Sequence, residues 1–209
     1  MPELNQELIE TFKAKAALVS ATVVEKASVA DALQYAFEVC KAKEPAQLLA
    51  PENVETGPKG PLGCPTRATK ILAAPSLSDE DFAALEKICE GQKIACIKDN
   101  LRNHLAGIDV GLTFAELGVA ASGTCMAITD QEDVRLSGMI AEIHVLVLKK
   151  STIYPDLPSI APFLRERMND GKVSYTTLIT GPSRTADIER VSAIGVHGPL
   201  ELHIILLEG

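Results

Sequence analysis

The densest run of chemically capable side chains lies near the carboxyl end of the sequence, at residues 180–189. There Ser183, Arg184 and Thr185 combine two hydroxyls, which can donate hydrogen bonds, with a guanidinium fork that suits phosphate or carboxylate. Gly181 precedes them and, because it lacks a Cβ atom, allows the backbone to approach a ligand closely. The pattern is typical of a small-anion site.

The elements on either side of this run would place it at the end of a sheet. The sequence at 176–180 predicts a buried strand, and 186–193 predicts a helix that begins after the Gly-Pro turn. In open α/β sheets, ligands bind beyond the carboxyl ends of the strands. A helix that begins there presents unpaired N–H groups and a partial positive charge.

The two acids in the same run, Asp187 and Glu189, support two interpretations. Beside the Arg184 cation they are candidates for acid–base chemistry. In an ordinary capped helix, by contrast, Ser183 or Thr185 is the N-cap and the acids stabilise the helix dipole. Spacing alone favours neither interpretation.

A second short motif, residues 195–199, places His197 directly before Gly198 at a predicted strand edge. A histidine in such a turn has little packing role and is free to titrate or to bind an anion. A lone histidine in a turn is more often incidental than catalytic, but here it favours the anion site.

Strands and helices alternate along the chain that must position these motifs. Strands are predicted at 21–24, 70–74, 94–97, 143–148, 176–180 and 202–207, and helices at 3–19, 29–43, 78–89, 100–106, 159–169 and 186–193. Ser28 and Ser78 are the predicted N-caps of the second and third of these helices. The run from Ile143 to Leu148 is apolar throughout, as in strands that are buried on both faces of a parallel sheet. The alternation therefore predicts an α/β fold with a parallel or mixed sheet and helices on both faces.

Three segments are distinguished along the sequence. Residues 1–50 predict an N-terminal helical segment, either packed on the domain or appended to it, and residues 67–209 carry the α/β alternation. Between them, residues 51–66 are rich in proline and glycine and predict an exposed loop, with a mobile flap as the alternative.

Composition narrows the class of partner. The chain has 209 residues, a net charge of −8 and a pI near 5.1, which argues against nucleic acid or an anionic membrane as the main partner. The first residues lack the basic and apolar regions of a signal peptide, and the longest apolar runs are too short for membrane insertion. We therefore expect a cytoplasmic protein.

The five cysteines show no C-x-x-C spacing; they are Cys40, Cys64, Cys89, Cys96 and Cys125. In the cytosol such thiols stay reduced, and several are expected to be buried as small hydrophobic side chains. An iron–sulfur cluster needs closely grouped thiolates, and no dinucleotide-binding G-x-G-x-x-G follows a strand. We therefore expect no cofactor within this chain, and the four scattered histidines predict no metal site.

Two carboxyl-terminal motifs, 181–189 and 195–199, resemble the signature of the LUD-domain family in its lactate-utilisation protein C branch. A weaker resemblance lies upstream, where 111–113 and 120–124 are similar to the family's G-I-T and A-[DE]-T-G-T stretches. Ala121 stands where the family usually has an acid. The resemblance covers about residues 70–209.

The resemblance implies a three-layer α/β/α domain with a mostly parallel sheet, like that of ribose-phosphate isomerases and CoA transferases. It also implies partnership with iron–sulfur proteins that oxidise L-lactate to pyruvate, with this chain as the short subunit without a cluster. The ligand-binding residues would be those of the motifs: Gly123, Thr124, Gly181, Ser183, Arg184, Thr185, Glu189 and Gly198. Glu116, where relatives often have an acid, joins His197 and Asp187 as a catalytic candidate.

Two functions therefore compete, with a non-catalytic interaction module as a third alternative. The first is a subunit or accessory of a lactate-oxidising system that binds a small anion at the 181–189 loop. The second is a stand-alone enzyme on a phosphorylated or CoA-linked small molecule, by analogy with the related folds. A homo-oligomer stays open under all three alternatives.

Overall fold

The computed structural model describes residues 6–169, 171, 175–185, 193–194 and 198–208. The described helices are α1 (Gln6–Leu18), α2 (Val29–Ala42), α3 (Asp79–Cys89), α4 (Glu132–Ile140) and α5 (Ala161–Asn169). The strands are β1 (Thr22–Lys26), β2 (Thr56–Lys59), β3 (Pro65–Arg67), β4 (Lys70–Ala73), β5 (Ile94–Ile97), β6 (Ile108–Phe114), β7 (Leu117–Val119), β8 (Thr124–Thr129), β9 (Ala141–Lys149), β10 (Ile153–Tyr154), β11 (Tyr175–Ile179), β12 (Arg184–Thr185), β13 (Ala193–Ile194) and β14 (Glu201–Leu207).

A six-stranded sheet forms the centre, in the order β1-β14-β9-β6-β4-β5, and each neighbouring pair is parallel. The strands β9 and β14 lie in the middle of this sheet and are paired from Glu201 with Ile143 to Leu207 with Lys149. Both are almost continuously apolar, because helices or a second sheet cover them on each face. The predicted α/β class and the parallel sheet are confirmed.

The two faces of the sheet carry separate apolar cores. On one face, α2 and α3 pack against side chains such as Val110, Val145 and Ile205. On the other face, α1 packs against Leu146, Leu148 and their neighbours. Helix, sheet and helix therefore form the three predicted layers, and β1 places part of the N-terminal segment within the main sheet.

Local capping explains where two of the helices begin. Ser28 caps α2 in a reciprocal capping box with Asp31, and Ser78 caps α3 by accepting a hydrogen bond from the Asp81 N–H. Both predicted N-caps are confirmed. The sequence-based prediction missed α4, because Gln131 at its N-cap position is not one of the residue types that usually cap a helix. In the structure Gln131 makes no side-chain cap hydrogen bond.

A second, four-stranded sheet has the order β10-β7-β8-β11, and β11 runs antiparallel to β8 at its edge. The prediction of a buried strand before the Gly-Pro turn is wrong, since β11 is exposed along most of its length. Its side chains Tyr175 and Leu178 are each about half exposed. The Gly-Pro turn therefore follows an edge strand of the smaller sheet, and not a strand of the parallel sheet.

The proline- and glycine-rich segment is more ordered than predicted. It contains the antiparallel hairpin of β2 and β3, in which Thr56 pairs with Arg67 and Lys59 with Pro65. The hairpin is joined to the preceding chain by a bridge between Gln47 and Thr66. None of the helices in the described part of the chain combines the length and the apolar composition that a membrane span requires.

Candidate functional site

Two motifs that lie far apart in the sequence meet through their hydroxyl groups. The Oγ1 atoms of Thr124 and Thr180 are 2.7 Å apart, and the Ser122 hydroxyl is 2.7 Å from the same Thr124 atom. Thr124 is buried. These three hydroxyls satisfy one another, so they join the β7–β8 turn to the end of β11.

Gly123 and Gly181 have positive φ angles, of 64° and 76°, that side chains rarely adopt. A Cβ atom on Gly123 would overlap the backbone of Ala16, and one on Gly181 would overlap the carbonyl oxygen of Val19. Both glycines thus allow the last turn of α1 and the residues after it to pack directly on the motif turns. Their structural role is explained without a ligand.

The Ser183 turn is held against the segment that leads into β14. The Ser183 N–H donates to the carbonyl oxygen of Pro199 at 2.8 Å. Gly198, with φ of 84°, lies so close that a Cβ atom there would be 3.1 Å from the Ser183 Cβ. The Leu200 N–H in turn donates to the carbonyl oxygen of Glu142 at 2.7 Å. Because β14 and β9 begin at Glu201 and Ala141, the turn lies at the amino ends of these strands, and the expected position beyond the carboxyl ends is wrong.

Arg184 is exposed and donates a hydrogen bond from Nη2 to the Ser20 hydroxyl. Ser20 follows α1, so the guanidinium lies near the negative end of a helix dipole. Arg184 and Thr185 form β12, which pairs with Ile194 and Ala193 of β13. Ser183 is therefore followed by a strand and does not cap a helix, and Ala193 belongs to β13 and not to the helix predicted at 186–193. The predicted start of that helix, at residue 186, lies outside the described residues.

Asp187, Glu189 and His197 lie outside the described residues. Their roles as catalytic or ligand-binding residues stay predictions.

Glu116 is not brought to the motif turns. Its N–H donates to the Met126 carbonyl oxygen at 2.8 Å, at one end of the β7–β8 hairpin, whereas Thr124 lies at the other end. Glu116 lies three residues before Val119, the strand partner of Thr124, which corresponds to roughly 10 Å along the hairpin. The Glu116 carboxylate lies 4.0 Å from a guanidinium nitrogen of Arg167.

His144 lies inside the parallel sheet and was not among the predicted site residues. Its Nε2 atom is 2.7 Å from the Thr113 hydroxyl, and its ring packs close to Gly138 of α4. Burial lowers the pKa of His144 to about 4, so the imidazole is neutral at physiological pH. The side chain resembles a core histidine whose polar atom is satisfied by a neighbouring strand.

A cleft of about 1000 Å³ opens at the amino edge of the sheet, beneath the β2–β3 hairpin. Its charged lining residues are Lys43, Glu44, Lys59, Arg67, Lys93, Glu142 and Glu201. Leu200 also lines it, so the segment that holds the Ser183 turn forms part of the wall. The composition of residues 51–66 suggested a flap, but no pattern in the sequence indicated the cleft, because its lining comes from six separate stretches of chain.

The cleft wall contains a buried ion-pair network. The Lys43 ammonium lies 2.6 Å from a Glu142 carboxylate oxygen and 3.3 Å from one of Asp109. Asp109 is fully buried and also accepts hydrogen bonds from the Ala46 and Ile71 N–H groups, at 2.7 and 2.8 Å. This network fixes the end of α2 to the sheet.

A chain of hydrogen bonds leads from the cleft into the core. Glu201 in the wall lies 3.0 Å from His203 Nε2, and His203 Nδ1 lies 2.8 Å from the Tyr35 hydroxyl. With a proton on Nε2, the ring donates to Glu201 and accepts at Nδ1 from the Tyr35 hydroxyl, so all three groups are paired. Within the ranges that the structure describes, no three histidine, cysteine or carboxylate side chains come together as a metal site.

Curated relatives match about half of this chain. "Lactate utilization protein C" of Bacillus licheniformis is 32% identical over 102 residues, which cover 48% of this chain and 42% of that protein. "Uncharacterized protein YkgG" of Escherichia coli K12 is 35% identical over 101 residues, or 47% of this chain and 44% of that protein. The chain thus matches less than half the length of these curated relatives.

A solved structure shares the fold over nearly the whole chain. The crystal structure of a DUF162 family protein from Deinococcus radiodurans has a TM-score of 0.56, with 97% of each chain covered and 14% sequence identity. The model of the LUD domain matches residues 9–207, from the first turns of α1 to the end of β14. The chain therefore belongs to the LUD-domain family.

Proposed function

We propose that this chain acts in lactate utilisation, as a subunit or accessory of a system that oxidises L-lactate to pyruvate, and that it binds a small anion at Ser183 and Arg184. Its partners in such a system are iron–sulfur proteins, since this sequence has no C-x-x-C motif of the kind that holds a cluster. Membership of the LUD-domain family and the names of several relatives support the pathway.

One observation carries the site. The upstream and carboxyl-terminal motifs meet through the Thr124–Thr180 hydrogen bond, and the two carboxyl-terminal motifs meet through the Ser183–Pro199 hydrogen bond. Hydrogen bonds and close glycine contacts hold the backbone rigidly, while the Arg184 side chain stays exposed. An exposed guanidinium on a rigid turn can exchange its Ser20 partner for a carboxylate or phosphate at low cost.

Binding of defined anions tests this site directly. Calorimetric titration of the full chain with L-lactate, pyruvate and inorganic phosphate, each in separate experiments, is expected to detect at least one of them. Arg184→Gln should weaken that binding about tenfold or more, because a hydrogen bond to a charged group contributes about 1.5–3 kcal/mol. Arg165→Gln is the matched control, since Arg165 is exposed on α5 and should leave the affinity unchanged.

Two results would contradict the proposed site. One is the absence of binding by all three anions, and the other is an equal loss of affinity in Arg165→Gln and Arg184→Gln. The pathway is tested separately, by deletion of the gene and growth on L-lactate as the carbon source. Normal growth of the deletion strain on L-lactate would argue against the pathway whatever the anion titrations show.

The size of the amino-edge cleft favours a second candidate function. A volume of about 1000 Å³ is far larger than lactate needs and lies at the upper end of the range for sites of drug-sized ligands. Because Leu200 links the cleft to the Ser183 turn, a phosphorylated or CoA-linked molecule could place its anion at the turn and its body in the cleft. Titration with coenzyme A separates the two functions, since an anion-only site binds it no better than inorganic phosphate.

A further inference from the structure

Three of the five cysteines converge on one part of the core, away from the motif turns. Cys40 of α2 and Cys89 of α3 are buried in the apolar cluster between these helices and the sheet. Cys96 of β5 packs against the same cluster. The sequence places these residues on three separate elements, so only the fold brings them together.

Two of these thiols form a pair. The Cys96 Sγ atom lies 4.0 Å from the carbonyl oxygen of Leu85, which is one helical turn before Cys89 on α3. The Cys96 side chain is therefore directed at the last turn of that helix. In an α-helix that carbonyl oxygen accepts a hydrogen bond from the N–H four residues on, which here is that of Cys89. The Cys89 and Cys96 side chains therefore meet at this turn, and both line one cavity.

Small molecules can reach this pair. A cavity of about 540 Å³ is lined by both cysteines and by Glu86, Lys87 and Lys93. Its position follows from the topology, because β5 is the edge strand of the parallel sheet and leaves the end of α3 open to solvent. Cys40, by contrast, is fully buried and is not part of the cavity wall.

We propose that Cys89 and Cys96 are a redox-active thiol pair, which small-molecule disulfides such as glutathione disulfide oxidise to an intramolecular disulfide. The Cys89 thiolate attacks one sulfur of glutathione disulfide, so the glutathione S–S bond breaks and one glutathione thiolate leaves. The Cys96 thiol then loses its proton and attacks the mixed disulfide at Cys89, which releases the second glutathione. In total two protein thiols lose two electrons and two protons, and one glutathione disulfide becomes two glutathiones.

The order of the two steps follows from the influence of each thiol on the other. The neighbouring Cys96 lowers the pKa of the Cys89 thiol, whereas the neighbouring Cys89 and burial raise the pKa of the Cys96 thiol. Since the thiolate is the nucleophile in thiol–disulfide exchange, Cys89 attacks first and Cys96 resolves the mixed disulfide.

The disulfide would act on the larger cleft through Lys93. This residue lies between the two cysteines in the sequence, has a left-handed φ of 54°, and lines both cavities. Its carbonyl oxygen accepts a hydrogen bond from the Lys70 N–H at 3.1 Å, at the start of β4. Oxidation closes a short ring around Lys93 and thereby restrains one wall of the amino-edge cleft.

Peptide mapping of the full chain tests the pair. The protein is equilibrated with glutathione and glutathione disulfide over a range of ratios, alkylated and digested with trypsin. Because lysines stand at 87, 93 and 98, reduced protein gives the separate peptides 88–93 and 94–98. Oxidised protein should give the two peptides joined, with a mass two hydrogens below their sum.

Variants and unfolded protein serve as controls. The joined peptide should disappear in Cys89→Ser and in Cys96→Ser and persist in Cys64→Ser, whose half-buried thiol lies elsewhere. The equilibrium constant for its formation should be at least about tenfold higher in folded wild-type protein than in urea-unfolded protein, because the fold holds the thiols together. Absence of the joined peptide in folded wild-type protein, a Cys40–Cys89 linkage in its place, or equal constants in the two states would overturn the proposal.

Discussion

Replacement of Gly181 by alanine separates the structural role of the signature turn from its proposed binding role. An alanine there would carry a left-handed φ near 76° and would overlap the carbonyl oxygen of Val19. Gly91 offers a matched control, because its φ of 73° is nearly the same and a Cβ atom there would have no other atom within 4 Å. The difference between the unfolding free energies of the two variants therefore measures the cost of the contact with Val19, which follows α1.

The expected magnitudes follow from these two costs. Gly91→Ala incurs the left-handed backbone penalty alone, about 1–2 kcal/mol. Gly181→Ala incurs the same penalty and, in addition, about 1–3 kcal/mol for forcing a methyl group against backbone atoms. For a domain of this size, each kcal/mol lowers the melting temperature by about 2–4 °C.

Urea unfolding followed by circular dichroism measures both variants against the wild type, with thermal melts as a second measurement. Gly181→Ala should lose about 1–3 kcal/mol more unfolding free energy than Gly91→Ala. Equal losses in the two variants would refute the inference that Gly181 is required by packing against the end of α1. The signature glycine would then need another explanation, and a ligand would be the first to examine.

Three further perturbations test other parts of the structure. Asp109→Ala should lower the unfolding free energy by about 3–5 kcal/mol, because it leaves buried N–H donors and the Lys43 ammonium without their acceptor; a loss below about 1 kcal/mol in urea unfolding would contradict the network. His144 has its pKa lowered from 6.5 to about 4 in the folded state, so the stability that the neutral ring contributes is complete above pH 6.5 and is lost as the pH falls toward 4. In His144→Gln, the urea midpoint of unfolding should depend less on pH between 4 and 6.5 than it does in the wild type. An equal pH dependence in both proteins would show that His144 does not titrate in that range. Ser28→Ala removes the α2 N-cap and should lower the unfolding free energy by about 1 kcal/mol, whereas no change would show that Asp31 alone suffices.

The fold could be predicted from the sequence where local rules and burial agree. The apolar runs of β9 and β14 indicated strands buried on both faces, and the N-caps Ser28 and Ser78 marked the starts of α2 and α3. For β11, by contrast, the residue pattern indicated a strand but did not indicate how much of that strand neighbouring elements would bury. Burial of a strand depends on its position in a sheet, and pairing across distant segments sets that position.

The motifs of the candidate site could be identified from the sequence but not their arrangement, and the binding role of their residues stays a prediction. The motifs identified Thr124, Ser183 and Gly198, and the structure brings them to one region around the Ser183 turn. The predicted edge of the sheet is wrong, because the Gly-Pro turn follows β11 of the smaller sheet and is held at the amino ends of β9 and β14. The glycine contacts with α1 could not be anticipated, since nothing in the sequence around a glycine indicates which backbone will approach it.

The position of the turn at the amino edge changes what a ligand there can do. In open α/β folds, ligands usually contact the loops beyond the carboxyl ends of the parallel strands. Here the Ser183 turn lies at the amino edge and contacts residues 198–200, which lead into β14, and Leu200 of that segment lines the large cleft. A ligand that contacts Arg184 therefore acts on a segment that Glu142 anchors to β9 and that Leu200 extends into the cleft. Because Glu142 also pairs with Lys43 at the end of α2, the turn, the cleft and the helix are joined by one short series of hydrogen bonds. Anion binding at the turn and occupancy of the cleft should consequently influence each other's affinity, in equal measure and in the same direction.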